Sequence, residues 1–455
     1  MTDRKSLINN LTEGPLTRQL ILFSLPLVLG NLLHTLYNLV DMAVVGQFVG
    51  SAGLSAVSTA GQITMLLYSL GIGLGCGGQI LIAQQVGARD KKGIRVTFGT
   101  CFTFTILIAL VVTALGIAFN KTLLRLMNTP EEAWTDAVEY MFWCCLGVPF
   151  TYLNGGLSAL LRGMGDAKHP TWFVAAAAAA NVVLDLLLVA VLDMRAAGAA
   201  IATSISQLLG CACCIAYLYK NREQLGFDFR RESFRMDPQT LRTILKLSAP
   251  LALQVIFINV SMIFINAWIN TYGVVASAVN GIGSKLYSFV TIVTNATETA
   301  VATFAGQNLA AGNQARVRRC MGVSQLCCLV FAALMALISL TLPREVFSLF
   351  TRETAVLDMA PDYMRIQIVM YFSFALMSTP IGFINGLGHV NLNLLIALVD
   401  GVVARVGLSL LLAGPLGLHG YWWGSALAGY VSVVWGWLYY FSGRWKTRKL
   451  LVDTD

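Results

Sequence analysis

The chain alternates long apolar runs with short polar breaks. Twelve runs are long enough to cross a bilayer as helices, at roughly residues 16–44, 54–84, 94–119, 133–160, 170–193, 197–219, 243–269, 276–305, 317–342, 357–385, 390–413 and 418–441. About 20 apolar residues span the hydrocarbon core. Most of these runs lack the polar face that a helix of a soluble core would show at a 3.6-residue period. The fold class read from this pattern is an all-α polytopic membrane protein, with twelve transmembrane helices in two parallel six-helix lobes around a central cavity.

The second half echoes the first at an offset near 223. Ser24-Leu25-Pro26-Leu27 pairs with Ser248-Ala249-Pro250-Leu251, Leu54-Ser55-Ala56-Val57 with Ala276-Ser277-Ala278-Val279, and Gly163-Met164-Gly165 with Gly386-Leu387-Gly388. Six spans per half is an even number, so both halves enter from the same side and form parallel repeats, an arrangement common in secondary transporters. The predicted domains are an N-lobe (1–219), a cytoplasmic linker (220–242) and a C-lobe (243–455).

Composition supports the membrane reading. Only 12% of the 455 residues are charged and 56% are hydrophobic, against about a quarter charged in soluble domains. The net charge of +8 is a topology signal. Loops on one side hold 23 Lys and Arg, those on the other hold five, and Lys285, Arg365 and Arg405 fall within spans. The basic side is the cytoplasmic one, which places both termini in the cytoplasm of a multi-pass inner-membrane protein and leaves no nucleic-acid footprint. The ten cysteines sit in or beside apolar runs without zinc spacing and read as packed thiols. No cleavable signal peptide is read. GIGLGCGG at 71–78 lacks the preceding strand and GK[ST] of a phosphate loop, and reads as close helix packing. No HExxH or GxSxG is present, so the chain reads as no enzyme and needs no cofactor.

The chemistry lies in charged and polar residues inside the spans. No charge separates Arg18 from Asp41, and none follows before Arg89. A carboxylate near the bilayer centre costs about 2.5–3.5 kcal/mol on insertion scales. Asn38, Tyr37 and His34 share the face of Asp41 at i−3, i−4 and i−7. Counting outward at about 1.5 Å per residue from the basic side puts Asp41, Asn181, Asp185, Thr203 and Tyr140 in the outer half of one lobe. Two carboxylates close together in a low dielectric share a proton or a cation. Oxygen-only ligands suit H⁺ or Na⁺, with Na⁺ read at Asp41, Asn181, Asp185 and Thr203. The plainer alternative has Asn181 and Asp185 hydrogen-bonding a neighbouring helix. In the C-lobe, Glu298 shares a face with Thr291 and Asn295 at a depth near Gln254. Asp400 with Arg405, and Asp362 with Arg365, read as local ion pairs.

These residues resemble the multidrug and toxic compound extrusion (MATE) family, specifically its DinF-like and archaeal branch. The resemblance covers nearly the whole chain: twelve spans, the repeat, SLPL in the first span, Asp41, and the Asn181/Asp185 pair. It implies a cation site in the N-lobe at Asp41, Asn181 and Asp185, with Thr203 as a further ligand, Tyr140 nearby and Asn154 in the same network, and a first helix that bends at Pro26. The family often has LDP in the fifth span, where Leu186 follows Asp185 here; another branch has a coupling Glu in the seventh span, where this chain has Gln254 and Asn259. The expected function is a secondary active, monomeric multidrug efflux antiporter that confers antibiotic resistance. It exports amphipathic, cationic compounds in exchange for H⁺ or Na⁺ by alternating access. Tyr37, Asn38, His34, Gln254, Asn259 and Glu298 are candidates for its substrate cavity. The alternative is a lipid-linked oligosaccharide flippase of the same superfamily, which would need more buried Arg and Lys.

Overall fold

Apolar runs this long close their backbone hydrogen bonds internally, as a bilayer requires, and the computed structural model of the chain is built from such helices. It describes residues 9–225 and 227–452, with the side chains of 51 and 52 excepted; Arg4 and Lys5, counted above with the basic face, lie outside them. In chain order the long helices are α1 (Leu16–Phe48), α2 (Gly50–Gly87), α3 (Lys91–Leu126), α4 (Glu131–Gly163), α5 (Lys168–Asp185, continued by a π-helical turn Leu186–Val191) and α6 (Arg195–Lys220). The second series is α7 (Pro238–Asn270), α8 (Val274–Ala310), α9 (Gln314–Thr341), α10 (Thr354–Gly386), α11 (Val390–Leu398, a π-helical turn Val399–Ala404, then Arg405–Leu416) and α12 (Leu418–Phe441). No strand occurs among the described residues. Ten of these helices are long and apolar enough to cross a membrane, and α8 and α12 match them in length. Each expected span falls on one helix; most helices run a few residues further at each end, while the expected spans 170–193 and 317–342 overrun the observed ends at Val191 and Thr341.

The helix starts follow from short polar side chains. Asp90 Oδ1 accepts from the Gly93 amide (2.8 Å), Asp166 Oδ1 from His169 (3.1 Å), Asp237 Oδ2 from Thr240 (2.7 Å) and Asn313 Oδ1 from Arg316 (3.2 Å). Asp90, Asp237 and Asn313 are the N-caps of α3, α7 and α9, Asp166 stands one residue before the N-cap position of α5, and each satisfies an amide that the helix leaves without a partner. Asp237 is held below the usual carboxylate range, first by the Thr240 side chain and then by its amide. A carboxyl depressed on folding stabilises above its ordinary pKa, and that gain is lost as pH falls through the lowered value. Asp237→Ala should therefore cost about 1 kcal/mol at pH 7. Thermal melts should show the gap closing below about pH 4.

The repeat is visible in the hydrogen bonds. After α2, Asp90 N bonds Gln85 O (2.9 Å) with Arg89 at φ +58°; after α8, Asn313 N bonds Asn308 O (2.8 Å) with Gly312 at φ +73°. Each pair is 223 residues apart. Gly165 and Gly388, also 223 apart, take φ +84° and +73° between α4 and α5 and between α10 and α11. Such a left-handed turn favours glycine.

Two packing units result. Among the described residues the first comprises 9–10 and 25–252, the second 11–24 and 253–452. In the first, α4 is central and packs on α2, α3 and α6; in the second, α10 packs correspondingly on α8, α9 and α12. The cores follow: Val45, Ala56, Met141, Cys145 and Ala200 in the first, Val279, Phe347, Tyr363, Met364 and Ala426 in the second. The segment after α6 packs on α3, with Phe227 tilted against Phe98 and edge to face with Phe229 and Phe234, and Thr103 Oγ1 donating to Phe234 O (2.6 Å).

The unit boundaries fall inside two helices. α1 changes unit between Ser24 and Leu25, beside Pro26, and α7 changes between Ala252 and Leu253, beside Pro250. Before its change of unit α7 packs closely on α2: a Cβ at Gly77 would sit 3.1 Å from both Ile244 O and Ser248 N, and Ser248 Oγ donates to Leu74 O (3.2 Å). The matching SLPL and SAPL motifs thus mark the same structural event in each half. Proline removes one i→i−4 hydrogen bond and leaves a bend point.

Candidate coupling site

In the first unit, α1 turns one polar stripe along its length. The Asn38 side-chain amide nitrogen donates to His34 Nδ1 (3.2 Å), which leaves the ring proton on Nε2, facing the Tyr37 hydroxyl at 3.1 Å. Tyr37 also reaches the side chain of Gln207 on α6 and feels the charges of Asp41 and Asp185. Asp41 is buried, 8% exposed, and its Oδ1 has no hydrogen-bond partner.

α5 supplies the second carboxylate. Asp185 is 0% exposed and neither of its oxygens has a partner. The charge of Asp41 acts directly on it. α-Helical bonding ends at Asp185 and the wider π turn begins at Leu186. A π turn of this kind often marks a functional site within a helix; here it stands where the resembling family often has proline. Asn181, one turn earlier, donates through Nδ2 to Thr203 Oγ1 (3.4 Å) on α6, and its Oδ1 has no partner.

α4 and α6 complete the cluster. Asn154 Nδ2 donates to Gln207 Oε1 (3.1 Å), and Asn154 Oδ1 is again without a partner. Gly210 lies opposite: a Cβ there would sit 2.9 Å from Asn154 Nδ2, so only glycine lets the helices close on this amide. Tyr140 is buried in the core with Val44, Val45 and Val189 and feels the charge of Asp41. Five buried acceptor oxygens among these residues therefore lack donors: Asp41 Oδ1, Asn154 Oδ1, Asn181 Oδ1 and both of Asp185. An unsatisfied buried polar group costs about 1–3 kcal/mol, so such a cluster favours a bound proton or a hard cation. Among the described residues no three His, Cys, Asp or Glu side chains group as metal ligands. Gln207 was not singled out from sequence; its spacing of four from Thr203 on α6 was the available signal.

The second unit is wired differently. Asn385 Nδ2 donates to Glu298 Oε1 (3.1 Å), and Asn393 Nδ2 donates to both Asn385 Oδ1 (2.8 Å) and Gln254 Oε1 (3.0 Å). Glu298 and Gln254 are thus joined through two asparagines that the sequence reading did not name. Asn385 stands at the repeat position of Arg162, a contrast between the halves that could have flagged it. Asn259 donates instead to Val255 O of its own helix (2.9 Å) and stays outside this chain. In α11, Arg405 Nη2 lies 3.4 Å from Asp400 Oδ1, and Ser432 Oγ donates to Asp400 Oδ2 (2.6 Å). Arg365 and Asp362 pair at 3.5 Å near the start of α10.

Two repeated halves of long apolar helices, with unpartnered carboxylate and amide oxygens buried in the first, define a multi-pass membrane protein. The chain belongs to the MatE family, which matches residues 26–187 and 250–429. The probable multidrug resistance protein YoeA of Bacillus subtilis (strain 168) is 29% identical to it over 379 residues, 82% of each chain. YpnP of the same organism, also named a probable multidrug resistance protein, is 28% identical over 445 residues, 97% of this chain and 98% of its own. The solved structure of a multidrug resistance MATE family transporter of the MOP superfamily, in its outward-facing conformation, shares the fold with a TM-score of 0.90. Its identity is 23%, and the match covers 99% of this chain and 100% of that one.

Proposed function

We propose that the protein is a multidrug efflux antiporter of the inner membrane, acting as a monomer with both termini in the cytoplasm. It exports amphipathic, cationic compounds in exchange for H⁺ or Na⁺. The observation that carries this reading is the pair Asp41 and Asp185, buried in one unit with three oxygens unpartnered between them. Asn181, Thr203, Asn154 and Tyr140 surround the pair, and His34, Tyr37 and Asn38 extend it along α1. Coupling requires that the cation favour the state with lower drug affinity; a cation indifferent to the two states would drive nothing. The names of the curated relatives support the substrate class. Drug efflux from proteoliposomes with pH and Na⁺ gradients imposed separately tests the reading. Export driven by neither gradient overturns it.

The bend points belong to the same proposal. α1 and α7 each change unit beside a proline, and a proline inside a helix leaves one carbonyl without its i+4 partner, which makes a bend there cheap. Pro26→Ala and Pro250→Ala, which restore the missing hydrogen bond, should each slow exchange about tenfold, equivalent to about 1.4 kcal/mol in the barrier. Drug binding at equilibrium should change little. Wild-type exchange rates in both variants would remove the hinges from the mechanism.

A further inference from the structure

A cleft of about 390 Å³ opens between the last turns of α3 and the early turns of α4, lined by Ile117, Asn120, Lys121, Val138, Glu139 and Phe142. Its volume falls within the range of small-ligand sites, about 300–1,000 Å³. Its depth is set by the helix. α3 has 36 residues, about 54 Å at 1.5 Å per residue, so about 12 Å projects at each end beyond a hydrocarbon core about 30 Å thick. Asn120 and Lys121 lie within the final six residues or so before Leu126, about 9 Å from that end. The cleft therefore opens at the level of the lipid headgroups, on the face whose loops carry few basic residues.

Its polar groups are specific. Lys121 and Glu139 are exposed charges of opposite sign on facing helices, and among the described residues neither has an ion-pair partner. Asn120 is 5% exposed. Its Nδ2 donates to Val138 O (3.0 Å), which fixes the amide, and its Oδ1 is buried without a donor. One exposed cation for a phosphate and one exposed carboxylate for an N–H donor, set on facing helices, match a zwitterionic headgroup.

We propose that this cleft binds a zwitterionic phospholipid with a primary ammonium headgroup, phosphatidylethanolamine. The phosphate pairs with Lys121, the ammonium donates to Glu139, and the upper acyl carbons lie along Ile117 and Phe142. A choline headgroup carries no N–H to donate to Glu139. A phosphatidylglycerol headgroup brings net negative charge beside Glu139. The inference rests on the membrane-spanning fold alone and stands whatever the protein transports.

The test uses the full chain in nanodiscs of equal phosphatidylethanolamine, phosphatidylcholine and phosphatidylglycerol, with retained lipid read by native mass spectrometry. The wild type should retain phosphatidylethanolamine about tenfold over phosphatidylcholine, the factor expected for a charge-assisted hydrogen bond. Glu139→Gln should bring that ratio close to one, and Lys121→Gln should weaken retention of both zwitterionic lipids. Both side chains are exposed, and unchanged melting temperatures would confirm folded variants. Equal retention of the two lipids by the wild type, or a preference that survives Glu139→Gln, overturns the proposal. So does displacement of the lipid by a cationic amphipathic drug in the wild type but not in Glu139→Gln, which would make the cleft a drug site.

Discussion

Asp41→Asn and Asp185→Asn should each reduce gradient-driven export to the rate of protein-free vesicles, and the double variant should be no worse than either. Asparagine keeps the shape of aspartate but neither ionises nor takes up a proton, so the exchange loses the group that senses the gradient. Residues that act as one unit are non-additive in this way. Stability should move in the opposite direction. Both carboxylates are buried and their oxygens lack donors, and an asparagine at 41 brings an N–H₂ into a cluster made of acceptors. The melting temperature of either variant should equal or exceed that of the wild type. A purely structural role for these aspartates predicts the reverse, a lower melting temperature with transport retained in whatever protein folds. Thr203→Val then separates the two ions. A Na⁺ needs several oxygens, so removing the Thr203 hydroxyl should raise the Na⁺ required about tenfold, as the loss of one charge-assisted contact would. A proton needs only a carboxylate, and proton-driven export should be unaffected. Efflux at the wild-type rate by Asp41→Asn would end the coupling assignment.

Much of this architecture is legible in the sequence because a bilayer enforces simple rules. Long apolar runs must be helices, and a carboxylate inside one stands out against its cost, which is how Asp41 and Asp185 are found. The repeat is legible too, since SLPL and SAPL survive as a visible pair. What the sequence does not disclose is pairing between distant segments. Asn385 and Asn393 are ordinary amides in apolar runs until folding sets them between Glu298 and Gln254. Gln207 gains its meaning only from Asn154, 53 residues earlier. The π turn after Asp185 breaks the helical period without a proline or glycine to announce it, and the one around Asp400 carries only Gly401, a residue common throughout these helices. The change of unit at Ser24/Leu25 is invisible as well, because residues on both sides are equally apolar and periodicity does not say which neighbour a helix will choose.

The pair Asp400–Arg405 carries the other large expectation, and it is one of stability. Both side chains are buried, at 7% and 4% exposure, and Arg405 Nε and Nη1 have no partner while Nη2 faces Asp400. Removing one member of a buried ion pair costs about 3–5 kcal/mol, while replacing both with apolar groups of similar volume is often neutral or stabilising. The two single variants should not be equivalent. A guanidinium cannot shed its charge, so Asp400→Leu leaves an uncompensated cation inside the second unit. Arg405→Met leaves a carboxylate that still accepts from Ser432 and can take up a proton. Asp400→Leu should therefore sit at the upper end of that range and Arg405→Met at or below its lower end. The double variant should recover most of the loss, as a double-mutant cycle measured by thermal or denaturant unfolding would show. Transport by the double variant should remain coupled, since the groups assigned to the ion lie in the first unit. Additive losses in the cycle would mean that the two side chains do not compensate each other. An uncoupled double variant would mean instead that the second unit shares the coupling ion.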